Sequence, residues 1–145
     1  MFSYIRAMIV SNTHIRVRYG EVDQMGFLYY GNYALYFEVA RAEMIRELDY
    51  TYAQMEKDGV VMPVVKMQCK YIKPVLYDEY IRIETTLKEH LDIPFITFNH
   101  KLFNEQNELL HVGQVTLTFF DPKKQQRVAM PDTLRKRIEP FFKKI

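Results

Sequence analysis

An apolar stripe at helical spacing sets the main requirement that any fold of this chain must meet. Apolar residues recur every three or four positions, at Tyr33, Phe37, Ala40, Met44 and Leu48. This spacing predicts an amphipathic α-helix. The first half of the helix carries further apolar residues on its other sides, at Leu35, Val39 and Ala42. Such a helix has to be covered by the rest of the protein, and Asn32 is placed to N-cap it with its side-chain oxygen.

Strand-like alternation lies on both sides of this helix. Before it, Ile15 and Val17 alternate with two arginines, which predicts a strand over residues 14–19. After it, four further strands are predicted over residues 62–73, 80–88, 95–103 and 109–120. Turn residues separate them, at Asp92 with Pro94 and at residues 104–107. A short basic helix is predicted to follow from Thr133 to about Phe141.

One curved antiparallel sheet of five strands would bury a helix that cannot cover itself. We therefore predict an α+β fold, with a five-stranded antiparallel sheet wrapped around one long central helix and a short C-terminal helix. Residues 1–12 are predicted to form an N-terminal leader and residues 13–145 a single domain. Because the edges of an open sheet need protection, we expect a homodimer that assembles into a homotetramer.

Composition excludes several classes of protein. The net charge of +2 argues against a nucleic-acid binder, which usually carries a strongly basic surface. No apolar run approaches the roughly 20 residues that span a bilayer. Cys69 is the single cysteine, so a disulfide framework is excluded and a cytoplasmic location is expected. The four histidines lack a metal-binding spacing, so no metal site is predicted.

The loop before the helix contains the residues with the clearest chemical potential. It places two carboxylates, Glu21 and Asp23, between a strand and a buried helix. Gly26 and Gly31 would allow a ligand to approach the backbone closely. The amide of Tyr30 lies at the predicted helix start, where unpaired amides can stabilise a developing oxyanion. Taken alone, the two acids fit a capping or turn-forming role at least as well.

The segment Tyr19-Gly-Glu-Val-Asp-Gln-Met-Gly-Phe-Leu-Tyr-Tyr-Gly-Asn-Tyr33 resembles the signature of the 4-hydroxybenzoyl-CoA thioesterase family of hot-dog proteins. The shared pattern is an aromatic, an Asp/Glu-x-Asp pair, a glycine three residues on, and an aromatic pair before the helix. Residues 36–44, 63–67 and 71–79 resemble the acyl-CoA thioesterase branch of that family. The resemblance extends from about residue 13 to 140, nearly the whole domain.

This resemblance implies an acyl-CoA thioesterase that needs no cofactor, with coenzyme A forming part of the substrate. It assigns the catalytic carboxylate to Asp23, as nucleophile or as general base, and a positioning role to Tyr19. The Tyr30 amide would polarise the thioester carbonyl, with Gly26 and Gly31 beside the substrate. Close relatives often have histidine at the Tyr30 position.

Some relatives bind the CoA phosphates through basic residues in the turn that here reads His90-Leu-Asp-Ile-Pro94. Lys66 and Lys70, with Lys73, could replace those residues, although a solvated strand face explains these lysines more simply.

Two other functions remain open: a non-catalytic acyl-thioester binding protein, and another hot-dog enzyme such as a hydratase. A hydratase needs a histidine and an acid facing one ligand, and the loop of residues 20–32 has no histidine. Glu38 is a weaker candidate base on the helix. Cys69 is expected to be a small core residue. His100 and His111 could be neighbours across a hairpin, but a position on the strand surface is the expected one.

Overall fold

The computed structural model describes residues 8–88 and 94–142. Its helices are α1 (Tyr33–Glu47), α2 (Tyr52–Lys57) and α3 (Asp132–Ile138). The main sheet contains β1 (Ile9–Arg16), β2 (Val64–Tyr71), β3 (Tyr80–Leu87), β4 (Phe95–Phe103) and β5 (Leu109–Thr118). Two short strands, β6 (Phe120–Asp121) and β7 (Gln126–Arg127), form a separate hairpin.

The five long strands form one antiparallel sheet in the order β1-β3-β4-β5-β2. Strands β3, β4 and β5 have alternating burial, because one face of each packs on the core. Consecutive strands β3, β4 and β5 are neighbours, whereas β1 and β2 occupy opposite edges. The loop between β1 and α1 pairs with residues 75–77, which follow β2 in the chain, so it lies near the end of β2.

The central helix α1 packs its predicted stripe against the sheet. The stripe residues are all buried, with Phe37 and Met44 completely inaccessible. A Cβ at Gly113 of β5 would lie 2.2 Å from the ring of Phe37, so glycine is what lets this ring rest on the strand. Burial of a phenylalanine side chain contributes roughly 2–3 kcal/mol. This close approach fixes α1 across the middle of the sheet.

The first strand begins five residues earlier than the sequence predicted. β1 pairs with β3 from Ile9 opposite Leu87 to Arg16 opposite Tyr80, so part of the predicted leader is a sheet strand. The alternation was obscured because the inward positions include the polar residue Ser11, which is 4% exposed. The strand also ends earlier, at Arg16, where Val17 leaves the ladder to bond with the backbone of residues 78 and 79.

Strand β2 has an apolar face that is largely exposed. Val65, Met67, Cys69 and Tyr71 share this face, yet Val65 and Met67 are 43% and 45% exposed. The reason is its position: β2 is an edge strand that pairs on one side with β5. Two apolar residues on the solvent side of α1, Leu35 and Val39, are exposed as well, so the helix is not wrapped on all sides.

The C-terminal helix is confirmed, but it is not confined to the surface. α3 buries Leu134 and Ile138 completely or nearly so, and a 3₁₀ turn over Glu139–Phe142 follows it. The predicted strand over residues 109–120 is divided into β5 and β6. Of the predicted turn at Asp92 with Pro94, only Pro94 lies within the described residues, and His90 lies outside them.

The architecture is the predicted α+β fold, in which a five-stranded antiparallel sheet curves around one long helix. The hot-dog fold expected from the resemblance is confirmed. Among the described helices, none has the length and apolar character required to cross a membrane.

Candidate active site

Glu21 links the loop to the central helix. Its carboxylate accepts hydrogen bonds from the Arg18 backbone amide at 2.8 Å, the Arg18 guanidinium at 3.3 Å and the Tyr36 hydroxyl at 2.9 Å. Burial alone would raise the pKa of Glu21, but these hydrogen bonds outweigh it and the pKa is lowered. Both carboxylate oxygens are therefore occupied, and the first acid of the loop is held in a structural role.

Asp23 organises a tight turn with one of its two oxygens. Its Oδ1 accepts the backbone amides of Met25 at 2.8 Å and Phe27 at 3.2 Å. Gly26 completes the turn with a φ of +77°, which is accessible to glycine at no steric cost. Within the described chain, Oδ2 of Asp23 accepts no hydrogen bond. One oxygen thus positions the carboxylate and leaves the other for a water molecule or a substrate.

The helix begins with a 3₁₀ turn over Tyr30–Asn32 that continues into α1. The amides of Tyr30 and Gly31 donate to no acceptor among the described residues, as is usual for the first amides of a helix. The predicted N-cap was wrong in its chemistry. Asn32 makes no capping hydrogen bond, and its Nδ2 instead donates to the Glu21 carbonyl at 2.8 Å. Asn32 therefore fixes the loop against the helix start.

Asp23 and Tyr30 line the same cavity, which has a volume of about 370 Å³. Its other walls are formed mainly by apolar and aromatic side chains: Met25, Phe27, Leu28, Tyr33, Tyr71, Ile72, Lys73 and Pro74. The fold thus brings two residues to one apolar cavity: Asp23, which has a free carboxylate oxygen, and Tyr30, whose amide has no acceptor among the described residues. This combination can activate a water molecule, or attack directly, at a carbonyl carbon whose oxygen is stabilised by the amide.

A family model described as the thioesterase-like superfamily matches residues 17–138. The chain belongs to this superfamily. The match begins just after β1 and ends at the last residue of α3, so it includes the loop, the central helix and the cavity described above.

Similar proteins carry thioesterase names. A Bacillus subtilis (strain 168) protein named "Putative acyl-CoA thioesterase YneP" is 37% identical over 102 residues, which cover 70% of this chain and 73% of that protein. The "Acyl-CoA thioester hydrolase YbgC" of Escherichia coli O157:H7 is 28% identical over 83% of this chain and 89% of its own length. A solved DHNA-CoA thioesterase from Staphylococcus aureus is 31% identical and superimposes with a TM-score of 0.82, covering 90% of this chain and 91% of that one.

His100 and His111 of this superfamily member were predicted to lie on the strand surface. Both are completely buried. The His111 ring stacks on Tyr33, with centroids 4.2 Å apart, and meets the Tyr71 ring edge-on at 4.7 Å. The His100 ring lies parallel to Phe37 at 4.7 Å, and its Nδ1 is 2.9 Å from the Thr85 hydroxyl. The surface prediction was wrong because His111 and Gly113 of β5, and His100 opposite Gly113 on β4, lie on the face of the sheet that packs against α1.

Burial makes both histidines weak bases. It lowers the pKa of His100 to about 3, with Arg41 and His111 acting in the same direction. It also lowers the pKa of His111 to about 4. Both nitrogens of His111 lack a hydrogen-bond partner, so this residue supports the aromatic wall of the cavity by packing. No described histidine lines a cavity that contains Asp23.

Three other predicted residues lie around the loop. Tyr19 is 79% exposed and meets Tyr77 edge-on at 5.6 Å. Tyr19 and Gly26 line a second cavity, of about 480 Å³, on which Asp23 also borders. Gly31 lies outside both cavities, and a Cβ there would come within 2.9 Å of the Tyr29 ring. Asp23 therefore stands between two spaces, with Tyr19 on one side and Tyr30 on the other.

The predicted lysines differ in their positions relative to the cavities that contain Asp23. Lys66 and Lys70 are exposed on β2 and line neither cavity that contains Asp23. Lys73, just beyond β2, lines the Asp23–Tyr30 cavity and forms a salt bridge with Glu108. Lys73 is therefore the lysine whose position matches the cavity best. Glu38, the other candidate base, is exposed and borders a different cavity.

Tyr33 and Tyr71 were missed as site residues by the sequence analysis. Each was assigned to packing, because Tyr33 belongs to the helical stripe and Tyr71 to the apolar face of a strand. In the structure their rings meet edge-on at 5.0 Å and both line the cavity. The Tyr71 hydroxyl also donates to the Tyr30 carbonyl at 3.4 Å. Alternation alone cannot show that the end of β2 reaches the start of α1.

Proposed function

We propose that the protein is an acyl-CoA thioesterase that hydrolyses an acyl thioester to a free acid and a thiol. The observation that supports this most directly is the cavity that Asp23 shares with Tyr30, the residue whose amide is unpaired at the helix start. Membership of the thioesterase-like superfamily and the names of the similar proteins point to the same reaction.

In the proposed reaction, Asp23 acts through its free oxygen. As a general base, it accepts a proton from water while the water oxygen attacks the thioester carbonyl carbon. As a nucleophile, it forms a mixed anhydride that water then hydrolyses. In both routes the carbonyl oxygen becomes negative and is stabilised by the Tyr30 amide, and the C–S bond breaks as the thiolate leaves. Neither route requires a metal ion or a redox cofactor, so we propose a cofactor-free enzyme.

The cavity suits the acyl part of such a substrate. Its walls are aromatic and aliphatic, and Lys73 is the one basic residue among its lining side chains. We infer that the acyl group contacts Tyr33 and Tyr71, while Gly26 and the exposed Tyr19 border the space on the other side of Asp23. Lys66 and Lys70 would meet the CoA phosphates only at a distance from this cavity. Lys73 is the better candidate for a charge contact with the thiol carrier.

Release of free thiol from short-chain, long-chain and aromatic acyl-CoA substrates tests the proposal. Asp23→Asn is the informative variant, because the amide oxygen of asparagine can keep both turn hydrogen bonds while the charge is lost. We expect kcat to fall by about 10²- to 10⁴-fold, the usual contribution of a general base. Glu21→Gln is the matched control, since it makes the same chemical change in a structural acid. A fully active Asp23→Asn enzyme contradicts the assignment.

The positions of the histidines bear on the hydratase alternative. Its chemistry needs a histidine and an acid facing one ligand, and the described histidines do not reach the Asp23 cavities. Detection of a 2-enoyl or 3-hydroxyacyl product would favour it. Binding of acyl-CoA without turnover would instead favour a non-catalytic binding protein, the other alternative.

We also propose a cytoplasmic homodimer that assembles into a homotetramer. Its support is the apolar edge strand β2 and the exposed Leu35 and Val39 on α1, which a second copy would cover. The single cysteine, Cys69, is free and half-buried, which suits a reducing compartment.

A further inference from the structure

Tyr33, the first residue of α1, is the most deeply buried tyrosine of the Asp23–Tyr30 cavity. It is 3% exposed, whereas Tyr30 and Tyr71 are 68% and 53% exposed. Its ring stacks on the His111 ring and meets the Tyr71 ring edge-on. These two contacts hold the ring in one orientation. The proposed reaction uses only the ring, as part of the aromatic wall, and leaves the hydroxyl without a role.

The Tyr33 hydroxyl is protonated near neutral pH. Burial raises the pKa of Tyr33 to about 12, with smaller contributions from neighbouring groups that include Asp23. A hydrogen bond with the Val75 backbone opposes this rise, because an amide N–H stabilises the phenolate form. The phenol oxygen therefore accepts from the Val75 amide, and its own proton remains available for a second hydrogen bond.

This proton has no acceptor within the described part of the chain. The carboxylate of Asp23 acts on the Tyr33 hydroxyl through its charge, and no hydrogen bond joins the two groups. The Tyr71 hydroxyl on the same wall differs, because it already donates to the Tyr30 carbonyl. A thioester bound in the cavity would supply the acceptor that the Tyr33 hydroxyl lacks.

The position of Tyr33 on the helix indicates which atom of the thioester that acceptor is. Tyr33 follows Tyr30 by three residues, the spacing that brings two helical positions to the same face. Both residues line the cavity, and the Tyr30 amide has no acceptor among the described residues. Oxyanion sites combine several such donors around one oxygen. The carbonyl oxygen that the Tyr30 amide contacts is therefore the atom expected to reach the Tyr33 hydroxyl.

We propose that Tyr33 is a catalytic residue, whose hydroxyl donates a second hydrogen bond to the thioester carbonyl oxygen. This inference rests on the proposed thioesterase function. When water or Asp23 attacks the carbonyl carbon, an electron pair of the C=O bond moves to the oxygen, which accepts from the Tyr30 amide and the Tyr33 hydroxyl. The pair returns as the C–S bond breaks and the thiolate leaves. No proton passes to or from Tyr33 in these steps.

Tyr33→Phe tests the proposal by kinetics, because it removes the hydroxyl and keeps the ring against His111 and Tyr71. We expect kcat for thiol release to fall by about 10²-fold, the lower limit for one oxyanion donor. KM should change by less than about threefold, since the bond strengthens in the transition state. Tyr50→Phe is the matched control: Tyr50 is buried, its hydroxyl bonds to Asp58, and it lines neither cavity that contains Asp23. Thermal unfolding verifies that both variants are folded.

Two non-hydrolysable CoA analogues separate the hydrogen bond from packing. One is a ketone, in which a methylene group replaces the thioester sulfur, and the other is an S-alkyl thioether without a carbonyl. Tyr33→Phe should weaken inhibition by the ketone about tenfold, the upper range for one neutral hydrogen bond. Inhibition by the thioether should stay within about twofold. A crystal structure of the wild-type protein with the ketone should place its oxygen about 3 Å from the Tyr33 hydroxyl, and needs no variant.

A folded Tyr33→Phe enzyme with the wild-type kcat would overturn the inference, and so would an equal fall of kcat in Tyr50→Phe. Equal weakening of the ketone and the thioether, or a ketone oxygen out of hydrogen-bonding reach of Tyr33, would overturn it as well. Absence of thiol release by the wild-type protein would instead contradict the thioesterase proposal. In that case the binding of the two analogues would still show whether the Tyr33 hydroxyl contacts the carbonyl oxygen.

Discussion

Two acids separated by a single residue have different surroundings. Glu21 uses both carboxylate oxygens to hold Arg18 and Tyr36, whereas Asp23 uses one oxygen for its turn. The sequence predicted an acidic loop and could not distinguish the acids by spacing; the family resemblance selected Asp23. Partners such as Tyr36, 15 residues further along the chain, are set by the packing of α1. That information is not present in the local pattern.

The two buried histidines make the stability of the protein depend on pH. Their pKa values in the folded protein, about 3 for His100 and about 4 for His111, are below the ordinary value of 6.5. Below about pH 6.5 the unfolded chain therefore binds protons that the folded chain does not. Each histidine makes the protein less stable by at most about 1.4 kcal/mol per pH unit as the pH falls. The loss continues down to the folded pKa.

His111→Leu should flatten this dependence. Both ring nitrogens of His111 are unpaired, so an apolar side chain of similar volume costs little at pH 7.5. Between pH 6 and pH 4.5 the variant should lose stability more slowly than the wild type. Urea unfolding across this range measures the two slopes. Parallel slopes would show that His111 is protonated in the folded protein, contrary to the prediction.

At the scale of elements, the start of α1 is the feature with the most direct chemical consequence. Tyr30 is the first residue of the 3₁₀ turn, and Tyr29 before it has φ −59° and ψ 135°. This conformation is the one that residues preceding proline prefer, and proline is favoured at a first helical position. Tyr30→Pro therefore removes the amide donor with little strain.

Tyr30→Pro should lower kcat for thioester hydrolysis by about 10²- to 10³-fold, the usual cost of one oxyanion donor. Tyr30→Ala is the matched control, because it removes the same exposed side chain and keeps the amide. Steady-state kinetics of both variants with one acyl-CoA separate the two contributions. Equal rates for the two variants would assign the oxyanion to another donor, such as the Gly31 amide.

The sequence was sufficient to predict the long helix, strands β3 and β4, and the C-terminal helix. Their patterns repeat over several helical turns or strand alternations. Two strands at the edges of the sheet were less predictable. The inward face of β1 contains Ser11, which hides the alternation, and β2 alternates without being buried. The Asn32 side chain was predicted to cap the helix, but it contacts the loop instead. Asparagine can make either kind of hydrogen bond, so the residue type does not distinguish the two roles. Edge and loop positions are thus decided by contacts that are distant in sequence.

At the scale of the whole molecule, a single chain leaves unfavourable apolar surface exposed. The strand order places β2 at an edge, with Val64, Val65, Met67 and Tyr71 each 43–53% exposed. The sequence predicted that sheet edges would need protection, and β2 is one of the two edge strands. An apolar edge with unpaired backbone groups favours pairing with a second copy.

Met67→Glu should therefore weaken the proposed dimer. The charge would lie in the middle of β2, where it loses water if two copies meet at this edge. Gln68→Glu is the matched control, since it adds the same charge to the adjacent, polar position of the strand. Sedimentation at several concentrations should show a dimer for the wild type and for Gln68→Glu, and a shift towards monomer for Met67→Glu. A dimer that persists in Met67→Glu would place the interface elsewhere, and the exposed Leu35 and Val39 of α1 would be the next surface to test.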